Sequence, residues 1–373
     1  MTKEKENLQF RYLYAFGIIF VVMSHCDGGG MQMLSNWMHL GAFHLAIFVF
    51  GSGYFFDEEK ITDLLAYIRK KIKTLLLPLW GWNLFYGIVV TVLYFMGFRF
   101  GEILSLKGIA LGPVINKDLY QLNMGSWFVF PFFVVQVLYA CMKWCMDKLQ
   151  RRTITDKILQ LTFVLIGLWG VYNAGQGLNW QWQFVLTRIF YFMPFYILGI
   201  WYREKAESWI KKMPVPGVLG LCLLIALLLN TYYGRVVYAI PSACDYPFGT
   251  MATYLSALTG IFFWLQVSGL LAEHCAKIHI LTVIGNSTWD IMMHQFMGIL
   301  GVKCVFGVFN RLFGIFLDFD WNVFRNDIWY MYRPKGIAEY AFLYVIGAIA
   351  FSVLVKWFMK KVKESVVFRK QVK

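Results

Sequence analysis

Six ionisable residues stand inside or at the ends of long apolar runs: His25, His44, Arg188, Asp290, His294 and Lys303. Such groups are costly in hydrocarbon, so they face a cavity or a partner and mark candidate chemistry. His25 closes the run Phe16–Ser24, where a lone imidazole is either a reactive base or an interfacial cap. Asp290 and His294 are four residues apart, which puts them on one face of a helix. A carboxylate so placed fixes the tautomer of an imidazole and raises its basicity, as a general base requires. The plainer reading is a structural pair. Arg188 lies one turn inside its run and is open to simple snorkelling. His39 reads as interfacial, and His274 and His279 as solvated.

Helices in a membrane must position these groups. Of 373 residues, 59% are hydrophobic and only 15% charged, too little polar surface for a soluble domain of this size. The apolar residues fall in blocks of about 17–25, the length that crosses a hydrocarbon core. The pattern predicts spans at about 8–26, 37–56, 76–97, 125–144, 157–174, 183–202, 214–231, 250–272, 281–309 and 338–359, the ninth breaking near its middle. The fold class is therefore all-α, a polytopic membrane protein with about ten transmembrane helices. No small-residue cleavage site follows the first run, so it is expected to remain as a span.

The net charge of +14 is distributed as a topology signal, which argues against nucleic acid as a partner. With these spans, 25 of the 35 Lys and Arg lie on one side and 8 on the other, so both termini are expected to be cytoplasmic. Seven scattered cysteines show no metal-ligand spacing, and no metal is expected. A Cys26–Cys244 bridge outside is the pairing left open. No internal repeat is visible, which weighs against an inverted-repeat transporter. The chain reads as one transmembrane domain over 1–373, with no soluble domain left over. The outer loop near 310–337 carries Asp318, Phe319, Asp320, Trp321, Asp327, Trp329, Tyr330 and Tyr332. It is either a sugar-stacking surface or an interfacial aromatic belt.

Several segments together resemble the acyltransferase-3 family of bacterial membrane O-acyltransferases. The stretch from Phe43-His44 to Ser52-Gly53-Tyr54-Phe55-Phe56 is similar to the family's second span, with Ala46 in place of the usual proline and Gly51 in place of the usual leucine. The basic run Arg69-Lys70-Lys71-Ile72-Lys73 before Pro78 resembles the family's basic stretch, with Lys70 and Lys73 at its two cationic positions. Trp127-Phe128 matches the opening of the fourth span, and Ile284 to Thr288 through His294 matches a later segment. The family's arginine, ten residues and then histidine in span one is kept at His25. The arginine position is Tyr14, and the nearest arginine is Arg11.

The resemblance implies transfer of an acyl group, usually acetyl from acetyl-CoA, to a hydroxyl of a cell-surface or exported glycan. His25 is then the expected catalytic residue, with Asp290 and His294 beside it. Arg11, Arg69, Lys70 and Lys73 are expected to hold the CoA phosphates, for which lysine serves as a point charge. His44, Ser52, Trp127 and Arg188 are candidates for the substrate cavity. No permanently bound cofactor is expected; acetyl-CoA or another acyl-CoA is the donor. The implied partners are the bilayer, a hydroxyl-bearing acceptor and polysaccharide-assembly proteins, and the implied location is the bacterial cytoplasmic membrane. A transporter or flippase of a lipid-linked or polyanionic substrate, or a non-catalytic part of such an assembly, is the alternative.

Overall fold

The computed structural model describes residues 8–26, 36–115, 120–148, 152–177, 181–275 and 277–371. Ten apolar helices occur where the hydropathy pattern predicts them: α1 (Leu8–Cys26), α2 (Leu40–Tyr54), α3 (Leu64–Phe95), α4 (Gln121–Lys148), α5 (Asp156–Gly175), α6 (Trp182–Ile210), α7 (Val215–Tyr233), α8 (Gly249–His274), α9 (Thr288–Phe313) and α10 (Ala338–Ser365). Among the described residues, nine of these are long and apolar enough to cross a membrane, all but α2. Isolated bridges aside, the described chain holds no strand. In a medium without water every backbone group must be paired within the chain, and helices achieve this locally.

α1 is the central helix and packs against α2, α8, α9 and α10. It buries Tyr12, Leu13, Ile18, Val22 and Cys26, so its side chains meet protein on several faces. Cys26 and Cys244 are not joined; all seven cysteines are thiols.

α2 departs from the expected full span. Its 15 residues rise about 22 Å, short of the roughly 30 Å hydrocarbon core. It is interrupted at His44 and Leu45, between Leu40–Phe43 and Ala46–Tyr54. Each end is tied into protein. His39 caps the N-terminal end, its Nδ1 accepting from the Gly41 amide at 3.2 Å. At the C-terminal end Arg203 donates to the carbonyls of Tyr54 (3.1 Å) and Phe56, placing a cation where the terminal carbonyls concentrate negative charge. The Tyr54 hydroxyl donates to Glu207 at 3.0 Å.

α2 lies directly on α6 through two glycines. A Cβ at Gly53 would come 1.9 Å from the Tyr196 carbonyl oxygen, and one at Gly199 2.0 Å from that of Phe50. Small residues at facing positions let membrane helices approach backbone to backbone.

Two further expectations are corrected. α9 has no break near its middle; it runs unbroken from Thr288 to Phe313, and the discontinuity lies earlier, at Asn286–Ser287. There Lys356 of α10 donates to the Asn286 carbonyl and to Ser287 Oγ (3.2 Å), so the interrupted backbone keeps a partner. The basic run before the third span is not a separate connection but part of α3. A π-turn at Ile72–Leu76 joins them, because Pro78 offers no N–H and its ring crowds the carbonyl four residues back.

Candidate active site

His25 stands on the last turn of α1 and is half-buried. Its Nδ1 lies 2.9 Å from Oε1 of Gln295 on α9. Gln295 is fully buried, and its Nε2 donates to the Met292 carbonyl at 3.2 Å. That bond turns Oε1 toward the imidazole, so Oε1 accepts from Nδ1–H, the tautomer in which Nε2 is the basic nitrogen. Gly125, at the start of α4, backs the amide: a Cβ there would lie 2.6 Å from Gln295 Nε2. Three helices thus set one imidazole.

Beneath it runs a shaft of about 370 Å³ between α1, α2, α3, α4 and α9. Its wall includes Tyr14, Ile18, Val21, Phe48, Phe128 and Met292. Val21 is one turn from His25, and Met292 supplies the carbonyl that orients Gln295. Ser52, Phe55, Lys71 and Gln136 line the end farther from His25, and the same four also line a second cavity of about 350 Å³. This basin carries Lys60, Lys70 and Lys71 with Asp57. Lys60 reaches Asp57 at 3.0 Å and its hydrogen bond holds that carboxyl below the usual carboxylate range. Lys71 donates to Gln136.

The expected site residues separate into those the fold gathers and those it does not. Ser52 and Lys70 line these cavities, and His25 stands on α1 one turn beyond Val21 of the shaft wall. Lys71 and Gln136, not singled out from the sequence, take the position at the join. Arg69 and Lys73 are exposed and line neither cavity; a π-turn at Ile72–Leu76 alters the helical phase at Lys73. Arg11 is displaced as well: it lies against Gly285, where a Cβ would meet its carbonyl oxygen at 2.3 Å. Tyr14 takes its place on the shaft wall.

Asp290 does not touch His294. Its carboxylate faces Lys356 of α10 at 3.5 Å, whereas His294 Nδ1 is 2.7 Å from the Tyr86 hydroxyl and its ring is edge-on to Trp82. Helical spacing put them on one face, but α10 and α3 claim them separately. The group that does meet an imidazole is the next residue, Gln295. A search for charges in apolar runs passes over it because an amide is neutral. Trp127 and Arg188 do come together, with the guanidinium 5.2 Å above the indole and donating from Nε to the Ser242 carbonyl at 3.1 Å. Arg188 is 5% exposed, so it does not snorkel. His44 is buried with its Nδ1 lacking a hydrogen-bond partner among the described residues, and it lies within electrostatic range of His25.

Tyr14 and Gly51 depart from the resembled pattern together, and the geometry says why. A Cβ at residue 51 would fall 2.1 Å from the Tyr14 hydroxyl oxygen, so the phenol occupies the space a larger residue 51 would need. Gly51→Ala is expected to push the Tyr14 ring into the shaft and impair use of a donor that threads it by roughly tenfold, the size of a modest steric penalty. Adding Tyr14→Ala should restore use. A double variant no better than Gly51→Ala, measured as donor KM, refutes the coupling.

A many-pass helical membrane protein with two joined cavities, one of them basic and the other ending one turn short of an oriented histidine, is the class defined so far. Residues 7–357 match the family model described as an acyltransferase domain. The chain belongs to this acyltransferase-3 family, and is a multi-pass membrane acyltransferase. No curated protein and no solved structure is detectably similar to it.

Proposed function

We propose that the protein is an O-acyltransferase of a bacterial cytoplasmic membrane, with both termini cytoplasmic, that takes acetyl from cytoplasmic acetyl-CoA and delivers it to a hydroxyl of a cell-surface or exported glycan. The observation that carries this reading is the pair of joined cavities, basic at the inner end and apolar up to one turn below His25. From Tyr14 to His25 is eleven residues of α1, about 16 Å. The pantetheine arm has a twelve-atom backbone, about four residues' worth of extended chain or roughly 14 Å. With CoA phosphates beside Lys70 and Lys71, an extended arm runs up the shaft and covers most of the distance to His25.

The chemistry follows from the tautomer. Nε2 of His25 takes the proton of the acceptor hydroxyl as its oxygen bonds to the thioester carbonyl carbon. The tetrahedral adduct collapses, the C–S bond breaks, and the proton passes from His25 to the departing CoA sulfur. Gln295 holds Nδ1–H throughout, orienting the ring without contributing a second ionisable group.

The test is acyl transfer by protein in nanodiscs with [1-14C]acetyl-CoA. Wild type should consume the donor. Lys70→Ala with Lys71→Ala should raise the KM for acetyl-CoA about tenfold, as expected for two partly exposed charge pairs, and change kcat little. An unchanged donor KM removes the lysines from the donor site. Movement of a glycan carrier without loss of acetyl-CoA would instead support transport.

A further inference from the structure

The segment between α9 and α10 carries the aromatic and acidic residues singled out in the sequence, and the fold divides them. Phe319, Phe324 and Tyr332 are buried and pack on one another, with ring centroids 5.4 Å apart for Phe319–Phe324 and 5.2 Å for Phe319–Tyr332. The acids hold the segment's own shape. Asp318 accepts from the Tyr332 hydroxyl, Asp320 from the amides of Asn322 and Val323, and Asp327 from the Trp329 amide at 2.7 Å. These groups are engaged inside the loop.

Trp329 is different. It is 47% exposed, and its ring centroid lies 6.0 Å from that of His25 and 5.7 Å from that of Phe296. The backbone just before it is anchored by Lys303, fully buried on α9, whose Nζ donates to the Ile328 carbonyl at 2.7 Å. A buried ammonium carries a large desolvation cost. An interfacial-belt tryptophan needs no such anchor, because the headgroup region tolerates many ring positions. Here the anchor fixes an exposed indole beside the imidazole.

We propose that Trp329 is the acceptor-positioning residue: a sugar ring stacks on its exposed face and presents a hydroxyl to Nε2 of His25. The proposal rests on the acyl-transfer reading above. The chemistry favours a pyranose over a simple alcohol. A sugar ring offers a C–H face that suits an indole, and its hydroxyls radiate from the ring edge, within reach of an imidazole whose centroid is 6.0 Å from that of the indole.

The experiment uses protein in nanodiscs with [1-14C]acetyl-CoA and the methyl glycosides of glucose, mannose, galactose and N-acetylglucosamine, with glycerol at equal hydroxyl concentration. At least one glycoside should be acetylated in preference to glycerol. Trp329→Ala should raise the KM for that glycoside about tenfold, the size of one lost stacking contact, and leave the KM for acetyl-CoA unchanged. Trp329→Tyr should restore most of the loss. The platform is overturned if acetyl-CoA is consumed with no preference for any glycoside, or if Trp329→Ala moves donor and acceptor KM in step. Acetyl-CoA left intact by wild type with every acceptor sinks the acyl-transfer reading itself.

Discussion

Replacing His25 with alanine is expected to lower the rate of acetyl transfer by about 10²–10⁴, the usual worth of a positioned general base. The protein should still insert and elute as a monodisperse species, since the imidazole is only half-buried. Gln295 supplies the sharper half of the experiment. Gln295→Leu keeps the approximate volume of a fully buried side chain but removes the acceptor for Nδ1–H, releasing the ring and the tautomer. A loss of about 10² is expected from misorientation alone. Because Gln295 acts only through His25, the double variant should be no slower than His25→Ala. Kinetics of the four proteins decide it. Additive losses would mean that Gln295 has a role of its own, and wild-type rates in His25→Ala would remove the histidine from the chemistry.

The second large effect is on folding. Gly199→Ala or Gly53→Ala places a methyl 2.0 or 1.9 Å from a backbone oxygen of the facing helix. Backbone cannot swing aside as a side chain tip does, so α2 and α6 must separate along their contact. A cost of at least ~2 kcal/mol is expected, the upper part of the range for overpacking. The separation would also disturb Ser52, next to Gly53 on the shaft wall. Gly81 is the control: nothing lies within 4 Å of its would-be Cβ, and alanine in a helix interior is neutral or mildly stabilising. Heating detergent-solubilised protein before size-exclusion chromatography reads the difference. Gly199→Ala with the thermal profile of Gly81→Ala would show that the two backbones are not in contact.

These predictions separate two roles that sit within one short motif. Ser52 lines the shaft, whereas Gly53 serves the α2–α6 contact. His44, nine residues earlier, sits at the interruption of α2. The motif is thus mostly a description of how a helix too short to span the bilayer is held in place.

The amino-acid sequence determined the class and the order of the elements. Hydrophobic blocks of spanning length need no tertiary information, because a bilayer demands them one helix at a time. His25 was legible for the same reason, as an imidazole at the end of an apolar run. Its partner was not. Periodicity places Asp290 and His294 on one face of α9, but whether two side chains on a helix meet each other or their neighbours depends on what packs beside them. Here Lys356 and Tyr86 arrive from α10 and α3, and Gln295 turns to α1. The basic run shows the same limit. Its position before the third span was clear, yet the π-turn ahead of Pro78 decided that Lys70 and Lys71, rather than Lys73, border the basin. The displaced arginine shows it most directly. An Arg11 side chain is long enough to span the three-residue shift, but Gly285 draws α1 against the segment before α9 at that level and gives the shaft wall to Tyr14. Local pattern sets where a helix runs; contact between helices sets which of its faces becomes the site.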